Sequence, residues 1–389
     1  MTPTTATFRP EPDLDAFREE VRGFIEKHFD PVIPTQGPFP QADTPEKAAF
    51  IKKLAAQGWL GLDWPIEYGG KGLDETYQIV LQEELDYVGH PSLSIEVGMM
   101  GATLMRNGSP ELKRDILPRI VSGDLSIALG YSEPEAGSDL ANLQLRAVRD
   151  GDNFILNGEK MYTSGAHFAQ MIWLAARTDP DVSKHQGISL FLVDTKAPGI
   201  EVSRIDTMAD HQTNMVHFND AVVPASRLVG EVDQGWRHIM EALDYERLKG
   251  FPFGGLQRDL DELIAWGREE SRWDDPRVRR LIARCAVNVE GARTHSTRSF
   301  DRVLRHEVPT IEATMLKVAL TETRQNNTEA IVDLLGVEGL LREDVADAPM
   351  SGRFELRWRS GIIDTIAGGA NEIQRNILAE RHLGLPRGS

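Results

Sequence analysis

The stretch ALGYSEPEAGSDL, residues 128–140, marks the position at which the pattern of the sequence changes. Upstream of it, apolar residues recur at helical spacing, as in LDAFREEVRGFIEKHF. Downstream, short runs rich in Ile, Leu, Val and Phe are separated by turn formers such as Asp150-Gly151-Asp152 and Pro198-Gly199. The helical pattern returns after Gly235 and continues toward the C-terminus. We therefore predict an α+β protein in three parts, with a β domain between two helical domains.

The predicted domains cover residues 1–125 (N-terminal, helical), 126–233 (middle, β) and 234–389 (C-terminal helical bundle). N-terminal helices are expected in LDAFREEVRGFIEKHF, DTPEKAAFIKKLAAQG, TYQIVLQEELDYV and SPELKRDILPRIVSG. In the second of these, Asp43 or Thr44 is suited to the N-cap and Pro45 to the first turn. Strands are expected in ALGYSE, NFILNG, MIWLAAR, GISLFLVD and TNMVHFND. C-terminal helices are expected over 236–249, 256–270, 276–304, 310–336 and 371–382.

The composition narrows the class of protein. The 389 residues include 60 acids and 43 bases, a formal charge of −17 that argues against nucleic-acid binding. The single cysteine, Cys285, excludes an intramolecular disulfide and a multi-cysteine zinc site. We expect no metal site. The N-terminus lacks the pattern of a signal peptide, and no run approaches the roughly 18–20 apolar residues of a membrane span. We therefore expect a soluble, cytoplasmic protein without a membrane span.

A predicted helix, GWRHIMEALDYERLKG at 235–250, carries charges beside its apolar face. On a helical wheel, Trp236, Ile239 and Leu243 share one arc; Arg247 falls within it and Glu246 at its edge. One interpretation is a structural ion pair at the domain boundary. The other is a carboxylate in an apolar cleft, with a raised pKa and the role of a general base. The helix alone leaves both open.

Three loops combine glycine with small polar residues, a composition that can hold a phosphate or the edge of a planar cofactor. They are YSEPEAGSDLANL (131–143), GEKMYTSGAHFAQMIW (158–173) and TIAGGANEIQR (365–375). Asn371 in the third is suited to the N-cap of the last helix. Each loop taken alone is also compatible with a plain polar turn or helix entry.

Together these segments resemble the acyl-CoA dehydrogenase family, and the resemblance covers nearly the whole chain. It is carried by GWLGLDWPIEYGGKGL (58–73), GYSEPEAGSDL (130–140), EKMYTSGAHFA (159–169), VVPASRLVGEVDQGW (222–236) and IAGGANEIQRNILAERHLGLPR (366–387). The resemblance implies an N-terminal helical domain, a middle β-barrel-like domain and a C-terminal four-helix bundle. It also implies FAD as the cofactor and an acyl-CoA as the substrate.

The resemblance assigns roles within the three loops. Ser132 matches the residue that hydrogen-bonds the flavin ring, Ser138 the serine near the FAD pyrophosphate, and Thr163 the threonine beside flavin N5. The other cofactor-binding residues that we expect from these segments are Tyr131, Gly137, Tyr162, Ser164, Gly368, Gly369 and Asn371.

The resemblance also indicates where the catalytic base lies. Many family members carry a glutamate in the C-terminal loop, where this chain has Gly368. A minority, including isovaleryl-CoA and long-chain acyl-CoA dehydrogenases, place it on a bundle helix within Glu-Arg-Leu, which matches Glu246-Arg247-Leu248. We therefore predict that Glu246 removes the α-proton while flavin N5 accepts the β-hydride, giving a trans-2-enoyl-CoA. Ser138, Asp244 and Arg247 are predicted to contact the substrate.

Three positions depart from the family pattern. The usual Arg-x-x-Phe-Gly contact to a neighbouring subunit's FAD is absent from TRSFDRVLRHEVPTIEATMLKVA, and Arg298 is the predicted substitute. Ala370 replaces the loop threonine, and Asp333 replaces a glutamine that often lines the FAD site. These features resemble a bacterial FadE-like subgroup, some members of which are heterotetramers.

The resemblance therefore implies a homo- or heterotetramer, or a dimer, with an electron-transfer flavoprotein as the acceptor. Two alternatives remain open at this point. One is a partner subunit that completes the flavin site of a neighbour. The other is a flavin oxidase or monooxygenase built on the same scaffold, because a fold does not fix a function.

Overall fold

A computed structural model describes residues 13–29, 44–90, 94–249, 252–269 and 271–386, with the side chains of residues 94 and 244–249 outside the description. The N-terminal domain consists of α1 (Leu14–His28), α2 (Pro45–Ala56), α3 (Glu75–Tyr87), a π-helical segment (Ser94–Gly101), α4 (Ala102–Asn107) and α5 (Pro110–Val121). The four helices predicted for this domain are confirmed, whereas the π-helical segment and α4 were not predicted. Thr44 caps α2 by accepting a hydrogen bond from the Lys47 amide, while Asp43 lies outside the described residues.

The middle domain is one sheet of eight strands. They are β1 (Ile127–Gly130), β2 (Arg146–Asp150), β3 (Asn153–Lys160), β4 (Met171–Arg177), β5 (Ile188–Asp194), β6 (Ile200–Asp206), β7 (Gln212–Pro224) and β8 (Leu228–Val229). The order is β6-β7-β3-β2-β4-β5-β8, and β1 pairs with β4 in parallel. The five predicted strands are present. The other three were missed because β2 has one buried residue, β6 has no fully buried residue and β8 has only two residues, so none shows a strong apolar pattern.

Strand β4 is buried along its whole length, and its two faces belong to different cores. Met171, Trp173 and Ala175 pack into a core shared with the N-terminal helices. Ile172 and Leu174, on the opposite face, pack into the core of the β domain. This alternation, which follows from the period of two in a strand, joins the sheet to the N-terminal domain.

The C-terminal domain consists of α6 (Gly235–Lys249), α7 (Gly254–Arg268), α8 (Pro276–Leu304), α9 (Thr310–Leu335), α10 (Arg353–Asp364) and α11 (Asn371–Ile377), which continues as a π-helical turn over Leu378–His382. The predicted helices are present with ends shifted by a few residues, and α10 was missed. The prediction that Asn371 is the N-cap of the last helix is wrong. Ala370 holds that position without a side-chain cap, because the Asn371 side chain is directed into hydrogen bonds with α9. Within the described residues, no helix is long and apolar enough to cross a membrane.

A buried arginine joins α10 to the turn between β6 and β7. Arg359 forms a two-point ion pair with Glu355 on its own helix, at 2.6 and 2.8 Å. Its Nη1 donates to the Asp210 carboxylate at 2.6 Å and to the Met208 carbonyl. Because the Arg359 and Glu355 side chains are only 10% and 9% exposed, removing the cation leaves a buried carboxylate poorly compensated.

We expect Arg359→Met to lower the free energy of unfolding by about 2–4 kcal/mol, as found when one partner of a buried pair is removed. The control is Arg204→Met, whose ion pair with Asp206 is 64% and 74% exposed. That variant should change stability by less than about 0.5 kcal/mol. Urea unfolding of the purified proteins measures both. Equal effects of the two substitutions would show that the Arg359 network does not hold the domains together.

Candidate active site

The first two predicted loops lie side by side at one end of the sheet and form what we call the β-domain cluster, residues 131–138 and 160–164. The Ser132 carbonyl accepts a hydrogen bond from the Met161 amide at 2.9 Å. Lys160 Nζ donates to the Tyr131 carbonyl at 3.0 Å. The two segments are more than twenty residues apart in the sequence. They lie together because one follows β1 and the other follows β3 in the same sheet.

Thr163 occupies the centre of the second segment. Its side chain is fully buried, and its amide donates to the Asn214 carbonyl at 2.9 Å. Its hydroxyl Oγ1 has no hydrogen-bond partner among the described residues, although such buried groups are nearly always paired. The neighbouring Ser164 hydroxyl, in contrast, lies 2.9 Å from Thr213 Oγ1. The Thr163 hydroxyl is therefore a buried polar group for which the described residues supply no partner.

The other members of the cluster differ in exposure. Tyr131 is buried, and its hydroxyl accepts from Trp173 Nε1 at 3.0 Å, so the side chain anchors the loop. Gly137 and Ser138 are exposed at the tip of the loop. A Cβ at Gly137 would have no neighbour within 4 Å, which leaves room for a ligand to approach the backbone. Tyr162 is 60% exposed and has a positive φ of 59°.

The third predicted loop is held by the C-terminal domain. Gly368 and Gly369 have φ angles of 65° and 89°, in the left-handed region that glycine adopts without strain. The side-chain amide of Gln374 donates to both glycine carbonyls, at 3.2 and 3.3 Å, and a Cβ at Gly369 would collide with it. Gln374 Oε1 is buried and has no partner among the described residues.

A buried lysine fixes the end of the same loop. Lys317 on α9 is fully buried, and its Nζ donates to Asn371 Oδ1 at 2.6 Å and to the Thr365 carbonyl at 3.3 Å. Asn371 Nδ2 donates to Thr321 Oγ1 and to Glu322, both at 3.1 Å. The Asn371 side chain therefore supports the loop from the bundle side, and the glycines form the surface that is left.

Helix α6 carries three further predicted residues, Asp244, Glu246 and Arg247, whose side chains lie outside the described ones. The earlier part of α6 is as predicted: Ile239 is fully buried, and Trp236 and Leu243 pack against the shared core. The helix lies against the π-helical segment, α4, α9 and β5. Positions 244–247 thus lie on a helix in contact with both the N-terminal domain and the sheet.

No described contact joins Arg298 to the β-domain cluster or to the glycine loop before α11. It is exposed on α8, where its charge acts on Glu312 and His295. The prediction that it contacts FAD concerned a neighbouring subunit, so its exposed position does not test it.

Glu96 is a carboxylate that the sequence reasoning missed. It is the only charged residue of the apolar segment SIEVGMMG, which was the available signal, and this segment packs against α6. Its Oε1 lies 3.4 Å from the Ile127 amide at the start of β1. Burial raises the pKa of Glu96 to about 7, and hydrogen bonds from its own backbone amide and from that of Ile127 oppose the shift.

The raised pKa of Glu96 predicts a pH dependence of stability. Between about pH 4.5 and 7 the folded state binds the proton and the unfolded state releases it, so the free energy of unfolding falls as pH rises through this window. Glu96→Gln removes this dependence. We expect the variant to match wild type near pH 5 and to be more stable at pH 8 by roughly 1–3 kcal/mol, a range that allows for the partial exposure of the side chain.

Urea unfolding of wild type and Glu96→Gln at the two pH values measures this difference. Glu201→Gln, at an exposed position on β6, is the control and should keep the wild-type pH dependence. A stability difference between Glu96→Gln and wild type that is the same at both pH values would contradict the raised pKa.

The β-domain cluster and the glycine loop before α11 fit a flavin dinucleotide better than they fit a metal ion. They offer hydroxyls, backbone amides and glycines, together with a buried hydroxyl and a buried amide oxygen for which the described part of the chain supplies no partner. These groups match a large, planar, hydrogen-bonding cofactor. Among the residues described, no group of three or more His, Cys, Asp or Glu side chains is arranged to hold a metal ion.

Comparison with known proteins finds one family along most of the chain. Sequence profiles of the acyl-CoA dehydrogenase N-terminal, middle and C-terminal domains match residues 11–124, 128–221 and 233–383. The chain is 36% identical over 355 residues to acyl-CoA dehydrogenase FadE26 of Mycobacterium tuberculosis, a match that covers 87% of each protein.

Two solved structures are also similar over nearly their full length. The one described as Tcur3481-Tcur3483 steroid ACAD has a TM-score of 0.91 at 36% identity and is matched over 98% of this chain and 99% of that one. The ChsE4-ChsE5 complex from Mycobacterium tuberculosis has a TM-score of 0.86 at 32% identity, over 99% and 100% of the two chains. The resemblance found in the sequence is thereby confirmed, and the chain belongs to the acyl-CoA dehydrogenase family of enzymes.

Proposed function

We propose that this chain catalyses the FAD-dependent α,β-dehydrogenation of an acyl-CoA thioester to a trans-2-enoyl-CoA. The observation that carries the proposal is the buried Thr163 hydroxyl, which has no partner among the described residues and lies in the loop cluster that fits a flavin. Desaturation of a C–C bond removes two electrons, and a bound flavin supplies the acceptor for them. The β-domain cluster would hold the flavin through Thr163, Ser132 and the backbone at Gly137 and Ser138.

The base in this proposal is Glu246 on α6. The α-C–H bond of a thioester is weakly acidic and needs a carboxylate in a dry site next to a polarised carbonyl. The C-terminal loop supplies no carboxylate between residues 365 and 371, and its two glycines are fixed by Gln374. Glu246 would take the α-proton. Asp244, Arg247 and Ser138 are proposed to hold the acyl-CoA.

The substrate class that we propose is an acyl-CoA with a bulky, polycyclic acyl group. The structure similar at a TM-score of 0.91 is described as a steroid ACAD. An electron-transfer flavoprotein is the proposed electron acceptor.

A second candidate function is a subunit that completes the flavin site of a different partner chain. The two similar structures are described with paired names, Tcur3481-Tcur3483 and ChsE4-ChsE5. Ala370 and the missing Arg-x-x-Phe-Gly motif favour the same candidate. It predicts that the chain purified alone holds little flavin, whereas a homotetramer or homodimer would hold about one FAD per chain.

A flavin oxidase or monooxygenase on the same scaffold differs from the dehydrogenase and from the partner subunit. It predicts fast re-oxidation of the reduced flavin in air.

We expect Glu246→Gln to slow the reduction of bound flavin by acyl-CoA at least a thousandfold, because the variant retains the shape of the side chain and loses the base. Stopped-flow absorbance of the anaerobic enzyme measures the rate. Glu241→Gln is the matched control on the same helix, since Glu241 pairs with Arg237 at 3.1 Å on the exposed side. A reduction rate in Glu246→Gln close to that of Glu241→Gln would place the base elsewhere.

Thr163→Val tests the flavin contact separately from catalysis. The substitution removes a buried hydroxyl that bonds to none of the residues that the structure describes, so the flavin-free protein should lose no stability. We expect FAD to bind about five- to tenfold more weakly, the effect of one neutral hydrogen bond. Thr213→Val is the control, since its hydroxyl does have a partner in Ser164. That variant should lose about 1 kcal/mol of stability. Loss of stability in Thr163→Val with unchanged FAD affinity would contradict the assignment.

A further inference from the structure

Lys160 is a fully buried cation at the end of β3. Buried and more exposed residues alternate along β3, and Phe154, Leu156 and Lys160 are among the buried ones. A bulge between Leu156 and Gly158 shifts the pairing of β3 with β7. A lysine almost never occupies such a position unless it is paired. Burial lowers the pKa of Lys160 to about 8, and the attraction of Glu133 opposes that shift.

The described hydrogen bonds of the Lys160 side chain reach the segment that carries Ser132 and Ser138. Nζ donates to Glu133 Oε1 at 2.7 Å and to the Tyr131 carbonyl at 3.0 Å. The pair is protected from water, since the two side chains are 0% and 7% exposed. A buried pair with this geometry fixes the relative position of two segments more firmly than a surface pair.

Glu133 extends this connection to the far end of the loop. Its Oε2 accepts from the Gln144 amide at 2.6 Å, and its Oε1 accepts from the Leu145 amide at 3.0 Å. The backbone of Glu133 also exchanges two hydrogen bonds with Ala136, at 2.9 and 3.1 Å, which closes the turn that precedes Gly137. One residue thus joins the beginning, the turn and the end of the loop, the turn through its backbone and the two ends through its carboxylate.

A second buried cation supports the same loop from β4. Arg177 donates through Nη2 to the carbonyl of Ala141 at 2.7 Å and through Nη2 and Nε to that of Leu143 at 3.3 and 3.4 Å. Its Nη1 donates to the Gln186 carbonyl at 2.6 Å. Arg177 therefore holds residues 141–143, whereas Lys160 holds residues 131–133. Only Lys160 is also within three residues of Thr163 along the chain.

We propose that the Lys160–Glu133 ion pair is a positioning device for the cofactor, which sets the spacing between the loop of Ser132 and Ser138 and the segment of Thr163. The inference rests on the proposed FAD function. Neither side chain needs to touch the flavin, because the pair acts through the backbone of Tyr131 and through the turn at Glu133–Ala136. Loss of the pair should therefore weaken FAD binding and alter the environment of the flavin ring without removing any contact group.

The test is a titration of flavin-free protein with FAD, followed by flavin fluorescence, for wild type, Lys160→Met and Glu133→Gln. We expect both variants to bind FAD at least tenfold more weakly. The midpoint potential of the bound flavin should shift in both. The double variant should bind no more than about threefold more weakly than the poorer single variant, because both substitutions break one interaction. If Lys160→Met does not fold, Glu133→Gln, which keeps the size of the side chain, decides the question alone.

The matched control is Arg353→Met in the C-terminal bundle. Arg353 pairs with Asp259 at 3.0 Å, and the two side chains are 13% and 8% exposed, so its loss should destabilise the fold in a similar way. FAD affinity in this control should stay within twofold of wild type. Wild-type affinity and potential in the Lys160 and Glu133 variants, or equal losses of affinity in Arg353→Met, would overturn the positioning role while leaving the FAD function intact. Absence of FAD binding by the wild-type chain would overturn both.

Discussion

Strand β4 is buried on both faces and thereby joins the core of the β domain to the core shared with the helices. One face of MIWLAAR packs against the N-terminal helices and α6, and the other against the interior of the β domain. Because a strand alternates, moving its register by one residue would exchange the two sets of side chains and disrupt both cores. The parallel pairing of β1 with β4 then fixes where β1 ends and where the loop after Gly130 begins.

Polar interactions of buried side chains hold the loops on this frame. Lys160 and Arg177 reach from adjoining parts of the sheet to the loop after β1, and Lys317 reaches from α9 to the loop before α11. In each case a buried cation donates to backbone carbonyls, so the loop geometry depends on groups that cannot be removed without leaving unpaired polar atoms. Loops fixed in this way can present hydroxyls and glycines to a ligand without rearrangement.

The period of the sequence predicted most of the fold, because periodicity reports which side of an element is buried. It failed for β2, in which only Ala147 is buried, for β6, in which apolar and polar residues alternate only over residues 200–203, and for α10. The loops that carry Ser132, Thr163 and Gly369 were found from composition and resemblance.

The Lys160–Glu133 pair was not found from the sequence, because it joins residues 27 positions apart and depends on strand pairing. The sequence did offer one indication of the pair: Lys160 lies at a position of β3 where the apolar pattern predicts a buried side chain. Asn371 was misassigned as an N-cap because its partners lie on α9.

The central claim is that this chain holds FAD and uses it to oxidise an acyl-CoA. The most direct test is an anaerobic titration of the purified wild-type chain with a panel of acyl-CoAs, from short linear to polycyclic, followed by the visible absorbance of the flavin. We expect about one FAD per chain and stoichiometric bleaching of the flavin, strongest with a bulky polycyclic acyl-CoA. A chain that contains flavin which no acyl-CoA bleaches, or a chain that binds no flavin at all, would contradict it.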